Sequence, residues 1–282
     1  MSRVAYVNGD FVKLEDARIS ILDRGFLFAD GVYEVTAVLD GRLVDNTAHL
    51  ERLLRSCSQI GLVLPFDLPK LENLQNEVIT RNALCSGVIY LQVTRGAGER
   101  NFLPPHTPSP SLIMFAQEKD ILGAKGAIQG ISVKTVEDIR WHRRDIKTIG
   151  LLAQSLAKQV AAEAGCDEAW MTEGGVVTEG ASSSAFIITH ENVLLTQPDS
   201  QNVLPGCTAK AIFRLASETG LRIERRPFSV DEAVKAKEAF VTSASVFVQP
   251  VIRIDNSPVG NGMPGELTLR LREIYIEFAR QY

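Results

Sequence analysis

The chain has few of the residues that support metal or disulfide chemistry. Its 282 residues include four histidines and four cysteines. The cysteines are Cys57, Cys85, Cys166 and Cys207, and no two of them form a C-x-x-C pair. This scatter argues against a zinc site and against a disulfide framework. We therefore predict no metal and a reducing, cytoplasmic location.

Excess basic charge and long apolar runs are also missing. The formal net charge is -4, which argues against a nucleic-acid or anionic-membrane partner. No apolar run approaches the ~20 residues that a membrane span needs. The opening residues, MSRVAYVNGD, lack the charged segment and apolar run of a signal peptide. We expect neither a nucleic-acid nor a membrane partner.

What is present indicates an ordinary globular protein, with 45% hydrophobic and 23% charged residues. Asn8-Gly9 and Asp40-Gly41 each separate two β-rich runs, as in a β-hairpin. The segment 46–61 predicts a helix with Leu50, Leu53, Leu54 and Cys57 on one face and Gly61 as its stop. Further hairpins and helices alternate to the end of the chain.

This mixture predicts an α/β fold of the α+β type in two domains. We place a smaller N-terminal α/β domain at 1–118. A charged, glycine-rich linker follows at 119–127, and a larger C-terminal domain covers 128–282.

Lys147 is the first candidate for chemistry. It lies in RRDIKTIG, residues 143–150, close to Arg143 and Arg144. On a surface these three cations are merely tolerated, and most lysines are solvated. In a cleft, neighbouring cations favour the neutral amine, and a neutral lysine is a nucleophile. The segment itself leaves both alternatives open.

Three further segments carry candidates, each with an ordinary structural alternative. Glu179 precedes a serine cluster, Ser182, Ser183 and Ser184, which forms either a polar turn or a ligand site. LPGCTAK at 204–210 opens a helix whose free N–H groups can bind an anion. Thr242 and Ser243 at a strand end could add hydroxyls to such a site, or could belong to an ordinary sheet edge. Tyr33 is either a core aromatic or a polar group in a substrate pocket.

Together these segments resemble the fold-type IV pyridoxal-phosphate enzymes over nearly the whole chain. The segments, in order, are DRGFLFADGVYEV, HLERL, VTRG, EDIRWHRRDIKTIGLLAQSLAKQ, VTEGASSSAF, LPGCTAK and FVTSAS. The class includes D-amino-acid aminotransferases, branched-chain aminotransferases and aminodeoxychorismate lyase. EDIRW, DIK, LAKQ and the pattern RLxxSxxxIG most resemble the D-amino-acid aminotransferases.

The resemblance implies a two-domain enzyme with pyridoxal 5'-phosphate in the cleft between the domains. Lys147 matches the lysine that binds this cofactor as a Schiff base and shuttles the proton. Glu179 matches the acid that pairs with the pyridine nitrogen, and Leu204 matches the apolar residue against the ring. The implied phosphate cup comprises Arg52, Cys207, Thr208, Thr242 and Ser243.

For the substrate, Tyr33 and Arg100 match members of the carboxylate trap of the D-amino-acid enzymes. In those enzymes the loop with the arginine comes from the neighbouring subunit, so the resemblance implies a homodimer. Phe102 departs from the pattern, because it stands where the family has a histidine. The lost donor is worth about 1.5–3 kcal/mol if it hydrogen-bonds a charged group.

The expected activity is ping-pong transamination of D-amino acids with a 2-oxo acid, 2-oxoglutarate or pyruvate. Because of Phe102, an (R)-selective amine transaminase is an alternative. A branched-chain L-amino-acid aminotransferase, aminodeoxychorismate lyase and a cofactor-binding protein without catalysis complete the alternatives.

Overall fold

The computed structural model describes residues 3–281, which form two compact units. Residues 3–120 together with Ile146–Gly150 make up the N-terminal unit. Ile121–Asp145 and Leu151–Gln281 make up the C-terminal unit. The sequence led us to place one continuous second domain at 128–282. The structure instead groups the five residues around Lys147 with the N-terminal unit, because they pair with one of its strands.

The N-terminal unit is built on one antiparallel sheet with the strand order β2-β1-β6-β5-β3-β4. Its strands are β1 (Val4–Val7), β2 (Asp10–Lys13), β3 (Gly31–Leu39), β4 (Arg42–Leu43), β5 (Gly87–Thr94) and β6 (Ser111–Glu118). Its helices are α1 (Arg24–Phe28), α2 (Asn46–Gln59) and α3 (Leu68–Asn82).

Both predicted hairpins are confirmed. Val7 pairs with Asp10, and Leu39 pairs with Arg42, so each turn has two residues. Asn8 and Gly9 have positive φ angles, as do Asp40 and Gly41. This is the backbone that tight two-residue hairpin turns require, which explains the residue types at both positions.

The core of the N-terminal unit lies between its sheet and the apolar faces of α2 and α3. Leu50, Leu53 and Cys57 of α2 are buried, as predicted, but Leu54 is 48% exposed. Adjacent residues on a helix are about 100° apart, so Leu54 points away from the face that Leu53 buries.

The C-terminal unit is built on a mixed sheet with the order β12-β11-β10-β13-β14-β7-β8-β9, and β15 pairs with β14. Its strands are β7 (Ile131–Glu137), β8 (Glu168–Glu173), β9 (Val176–Gly180), β10 (Ser184–Ile188), β11 (Val193–Thr196), β12 (Arg222–Arg225), β13 (Glu238–Ser243), β14 (Phe247–Ile254) and β15 (Ser257–Pro258). Its helices are α4 (Lys125–Gln129), α5 (Leu152–Glu163), α6 (Cys207–Leu215), α7 (Val230–Val234) and α8 (Glu266–Ala279).

Strand β7 pairs in parallel with β8 and β14, and most other pairs are antiparallel. The predicted mixed α/β fold is therefore confirmed. Ser229 caps the start of α7, because its hydroxyl accepts the Glu232 N–H at 3.1 Å. Within residues 3–281, no helix is long and apolar enough to cross a membrane.

The start of α8 depends on a buried carboxylate from β13. Glu238 accepts hydrogen bonds from the backbone N–H groups of Leu267 at 3.1 Å and Thr268 at 2.8 Å. The Thr268 hydroxyl donates to the same carboxylate at 2.8 Å. N–H groups in the first turn of a helix have no partner within the helix. Glu238 therefore caps α8 from outside the helix.

Replacing Glu238 with alanine is expected to lower the free energy of unfolding by about 1–3 kcal/mol, since it strands buried donors. Urea denaturation followed by circular dichroism measures this. Glu266→Ala is the matched control, because this exposed glutamate lies in the same helical turn. Equal losses for both variants would show that Glu238 has no special role.

Candidate active site

Lys147 is held on the edge of the N-terminal sheet by its backbone. Its carbonyl accepts the Tyr33 N–H at 3.0 Å, and its own N–H donates to the Ser56 hydroxyl at 3.3 Å. The Ile149 N–H donates to the Gly31 carbonyl at 3.2 Å. The segment Ile146–Gly150 thus runs beside β3, where Thr148 forms an isolated antiparallel bridge with Val32, and this pairing fixes where the Lys147 side chain begins.

The Lys147 amine is half-buried and lies over an aromatic ring. Nζ is 4.2 Å from the centroid of Tyr33, which stacks on Tyr90 at 5.5 Å between ring centroids. Within residues 3–281, no carboxylate pairs with this amine. Because no carboxylate holds this amine in an ion pair, it is available to react as a nucleophile.

Arg143 and Arg144 have carboxylate partners in the C-terminal unit. Arg143 pairs with Asp145 at 3.1 Å. Arg144 pairs with Glu173 at 2.9 Å and approaches Asp138 at 3.4 Å. Their charges are compensated, which weakens the expectation that they assist Lys147 electrostatically.

Arg52 is buried against Glu34 in the N-terminal unit. Its Nε and Nη2 donate to the two carboxylate oxygens at 2.7 and 2.8 Å, and His49 contacts the same carboxylate at 2.8 Å. Burial alone would raise the pKa of Glu34, but Arg52 and His49 lower that pKa well below its usual range. The glutamate therefore fixes the Arg52 side chain, whose role in a phosphate cup stays a prediction.

Arg100 and Phe102 lie on an exposed loop of the N-terminal unit. The Arg100 guanidinium is 5.5 Å from the centroid of Phe28 and 5.7 Å from that of Phe102. The two rings contact each other at 5.5 Å between centroids. Arg24 anchors the loop, because its guanidinium donates to the Asn101 carbonyl at 2.5 Å. Phe102 thus takes part in an aromatic contact, where the family's histidine would offer a hydrogen bond.

Glu179 is buried at the end of β9 in the C-terminal unit, with 6% of its surface exposed. The Leu204 N–H lies 3.2 and 3.3 Å from its two oxygens, and Arg140 Nη1 donates to Oε1 at 2.5 Å. Burial raises the pKa of the Glu179 carboxyl, while Arg140 and the Leu204 amide oppose the rise. The structure thus connects two predicted residues, Glu179 and Leu204, directly.

The start of α6 in the same unit has the features of a phosphate site. Among the described residues, no side chain caps this helix, whose N-cap is Gly206. A Cβ at Gly206 would lie 2.7 Å from the Ser184 hydroxyl, so a side chain here would require that hydroxyl to move. Ser184 pairs in register with Thr242, whose buried hydroxyl has no hydrogen-bond partner within residues 3–281. An orphaned hydroxyl beside an uncapped helix start suits a phosphate group.

The other residues predicted for this region differ in burial and in the hydrogen bonds of their side chains. Thr208 is buried in the first turn of α6, next to the buried Cys207. Ser243 is half-buried, and its hydroxyl lies 3.3 Å from that of Ser245. The hydroxyls of Ser182 and Ser183, by contrast, donate to Glu168 at 3.0 and 3.2 Å. These two serines therefore hold the turn after β9, and the ligand role considered for them does not fit.

Two charged residues of this region, Asp138 and Arg140, were not among the candidates predicted from the sequence. Arg140 donates to both oxygens of Asp138, at 2.9 and 2.7 Å, in addition to its contact with Glu179. Both residues belong to the EDIRW segment, which the family resemblance marked as a motif. The sequence did contain an indication of this contact, because Asp138 and Arg140 are oppositely charged, two residues apart and directly after β7.

Comparison with known proteins identifies the family. The sequence profile described as Amino-transferase class IV matches residues 31–254. A D-alanine aminotransferase of Staphylococcus aureus strain MSSA476 is 37% identical over 278 residues, covering 98% of each chain. A D-alanine aminotransferase of Bacillus licheniformis is 36% identical over 263 residues, covering 93% of this chain and 92% of the relative.

Solved structures agree with this. A branched-chain amino acid aminotransferase of T.th., solved with pyridoxamine 5'-phosphate, has a TM-score of 0.91 and 27% identity, with 98% of this chain and 94% of the other covered. The corresponding Escherichia coli enzyme has a TM-score of 0.93 at 24% identity, with 99% and 95% covered, and shows the shared fold. The chain belongs to the class IV aminotransferases.

Proposed function

We propose that this chain is a pyridoxal-phosphate-dependent aminotransferase that transfers the amino group of D-amino acids to a 2-oxo acid, 2-oxoglutarate or pyruvate. The Lys147 amine carries the chemistry, because the backbone of Lys147 is bonded to β3 and the amine itself has no carboxylate partner among the described residues. The handedness of the donor is supported by relatives named D-alanine aminotransferase that match along the whole chain.

Each residue has a defined task in this proposal. Pyridoxal 5'-phosphate, when bound, supplies an electron-withdrawing ring. Lys147 would hold the cofactor through its amine. The same amine, once free, would take the proton from the α-carbon of the donor and deliver it to the cofactor. Glu179 accepts a hydrogen bond from the protonated ring nitrogen. The start of α6, with Thr208 and Thr242, would bind the phosphate. The phosphate role of Arg52 rests on the family resemblance alone.

The substrate carboxylate is assigned to Tyr33 of one copy of the chain and to Arg100 of the partner subunit, as the family resemblance implies. Both lie in the N-terminal unit, where Tyr33 stands beside Lys147 and Arg100 lies on the exposed loop. With Phe102 in place of the family's histidine, that loop lacks one hydrogen-bond donor. The Arg100 guanidinium still offers charged N–H donors to a carboxylate. The order of events is ping-pong, with the donor product leaving before the 2-oxo acid binds.

We also propose that two copies of the chain associate. Leu152, Leu156 and Val160 are 73%, 44% and 44% exposed and recur every four residues on α5. Such a stripe of large apolar side chains on one helix face is typical of an interface. A cytoplasmic location remains a prediction from the cysteine usage.

The test of function is the absorbance spectrum of the cofactor-loaded protein with different donors. D-alanine should bleach the visible band, and 2-oxoglutarate or pyruvate should restore it. Bleaching only by (R)-1-phenylethylamine would indicate an amine transaminase, and bleaching only by L-leucine would indicate the branched-chain activity. Absence of a visible band after addition of pyridoxal phosphate would contradict the cofactor assignment.

The matched control is Lys147→Ala. Borohydride reduction followed by mass spectrometry should leave the cofactor attached to the wild-type peptide containing Lys147 and to no peptide of the variant. Turnover by the variant should fall by at least about 100-fold, in line with the loss of a positioned general base. Substantial remaining turnover would exclude Lys147 as the reacting amine.

The phosphate site yields a second prediction. Thr242→Val should not lower the stability of the cofactor-free protein, because the buried hydroxyl has no partner among the described residues. The Kd for pyridoxal phosphate should nevertheless rise about 10- to 100-fold, as expected for a lost hydrogen bond to a charged group. The Kd for pyridoxal, which has no phosphate, should not change. Titration of the cofactor-free protein measures both.

Thr196→Val provides the contrast. The buried Thr196 hydroxyl donates to the Ala185 carbonyl at 2.9 Å, so its loss should lower stability and spare the affinity. If Thr242→Val weakened the binding of pyridoxal and of pyridoxal phosphate equally, the Thr242 hydroxyl would not contact the phosphate.

The association proposal predicts that Leu156→Glu shifts the protein from dimer to monomer in sedimentation equilibrium. Burying a carboxylate in an apolar interface costs several kcal/mol. Ala162→Glu introduces the same group on an exposed position of another face of α5 and should leave the dimer intact. A monomeric wild type, or a Leu156→Glu dimer of unchanged strength, would overturn the proposal.

A further inference from the structure

A buried network of charges stands behind Glu179 in the C-terminal unit. Arg140 lies at its centre and contacts Asp138 through two hydrogen bonds and Glu179 through one. The Thr178 hydroxyl donates to Asp138 at 2.7 Å, and Arg144 approaches the same carboxylate at 3.4 Å. The Arg140 side chain is 8% exposed. The guanidinium is therefore locked in one orientation.

This network uses the two oxygens of Glu179 unequally. Oε1 accepts the short bond from Arg140 and one contact from the Leu204 N–H at 3.2 Å. Among the described residues, Oε2 accepts only the other contact with that N–H, at 3.3 Å. A carboxylate oxygen can accept two hydrogen bonds. Oε2 therefore has the capacity for another donor, whereas Oε1 is satisfied.

We infer that Arg140 is a positioning residue: it occupies Oε1 of Glu179 and so presents Oε2 to the ring nitrogen of the cofactor. This inference rests on the proposed role of Glu179. Asp138 acts one step further back, because its two bonds determine where the Arg140 guanidinium points. Neither Arg140 nor Asp138 contacts the cofactor in this proposal.

The chemistry favours an arginine for this task. Its planar guanidinium presents several donors in a fixed geometry, so it can bind Asp138 on one side and Glu179 on the other. Burial raises the pKa of the Glu179 carboxyl, and the positive charge of Arg140 opposes this rise and so favours the ionised form. An ionised Glu179 is what keeps the ring nitrogen protonated, and a protonated ring withdraws electrons more strongly.

The alternative is that Arg140 only fastens the loop after β7 to the sheet. If Arg140 only fastens the loop, replacing it would change stability and would weaken the binding of every ligand of the site alike. If Arg140 positions Glu179, replacing it would weaken only the binding of a ligand that offers a protonated ring nitrogen. The two explanations therefore differ in which cofactor analogue is affected.

The experiment compares two ligands of the cofactor-free protein: pyridoxal 5'-phosphate, and its analogue with carbon in place of the ring nitrogen. Kd values come from absorbance titration. The wild type should prefer pyridoxal phosphate by about 10- to 100-fold, the range of a charge-assisted hydrogen bond. Arg140→Gln should reduce this preference at least fivefold. Arg143→Gln should retain it, since that guanidinium pairs with Asp145 in the same segment.

The outcomes separate the two proposals. If the wild type shows no preference, the assigned role of Glu179 is wrong. If the wild type shows the preference and Arg140→Gln keeps it, the inference about Arg140 is wrong while the role of Glu179 stands. An equal loss of affinity for both ligands in Arg140→Gln identifies loop fastening and also overturns the inference.

Removing Arg140 alone leaves Asp138 as a poorly compensated buried acid, which can prevent folding. The double variant Asp138→Asn/Arg140→Gln removes both charges and provides the same comparison in a folded protein. Asp138→Asn alone should lower the preference less than Arg140→Gln, because the guanidinium remains but is less well oriented. A full preference in the double variant contradicts the inference.

Discussion

Three segments of the C-terminal unit are held together by the contacts that compensate the buried carboxylate of Glu179. A carboxylate removed from water loses several kcal/mol of hydration unless a counter-charge and hydrogen bonds replace it. Arg140 supplies the charge, and the Leu204 amide supplies a further donor. Arg140 is buried too, and so requires Asp138. These contacts join three segments at the Glu179 carboxylate: the end of β7, strand β9 and the residues before α6.

The N-terminal unit also contains a buried carboxylate that is compensated by charged partners, on strand β3. Glu34 is fully buried and is paired with Arg52 and His49. Because side chains alternate along a strand, the buried Glu34 places its neighbour Tyr33 on the opposite face, towards the Lys147 amine. A functional side chain thus stands next to its anchor on the same strand, and the anchor is held by a helix, α2.

Local patterns in the sequence were sufficient for most elements. Asn8-Gly9, Asp40-Gly41 and Ser229 each specify a turn or cap within a few residues, and the structure has all three. Leu54 was misplaced, because one apolar residue beside a buried stripe does not reveal which side of the stripe is covered. The mixed order of strands in the C-terminal sheet depends on long-range pairing, which periodicity does not contain.

The candidate site shows the same division. Family resemblance pointed to Lys147, Glu179 and Thr242 by position, whereas the bond between Arg140 and Glu179 joins residues 39 positions apart. Such a contact becomes visible only when the strands are aligned. The partners of Ser182 and Ser183 were likewise hidden, because Glu168 lies on a preceding strand.

The placement of Ile146–Gly150 has a consequence for how the protein forms during synthesis. These residues complete the edge of β3, yet they follow the first 25 residues of the C-terminal unit in the chain. The ribosome therefore releases most of the N-terminal unit before the segment that pairs with β3 exists. Until residue 150 emerges, the β3 backbone near Tyr33 lacks its partner, and an open strand edge invites pairing with other chains. A fragment ending near residue 120 would carry that exposed edge permanently.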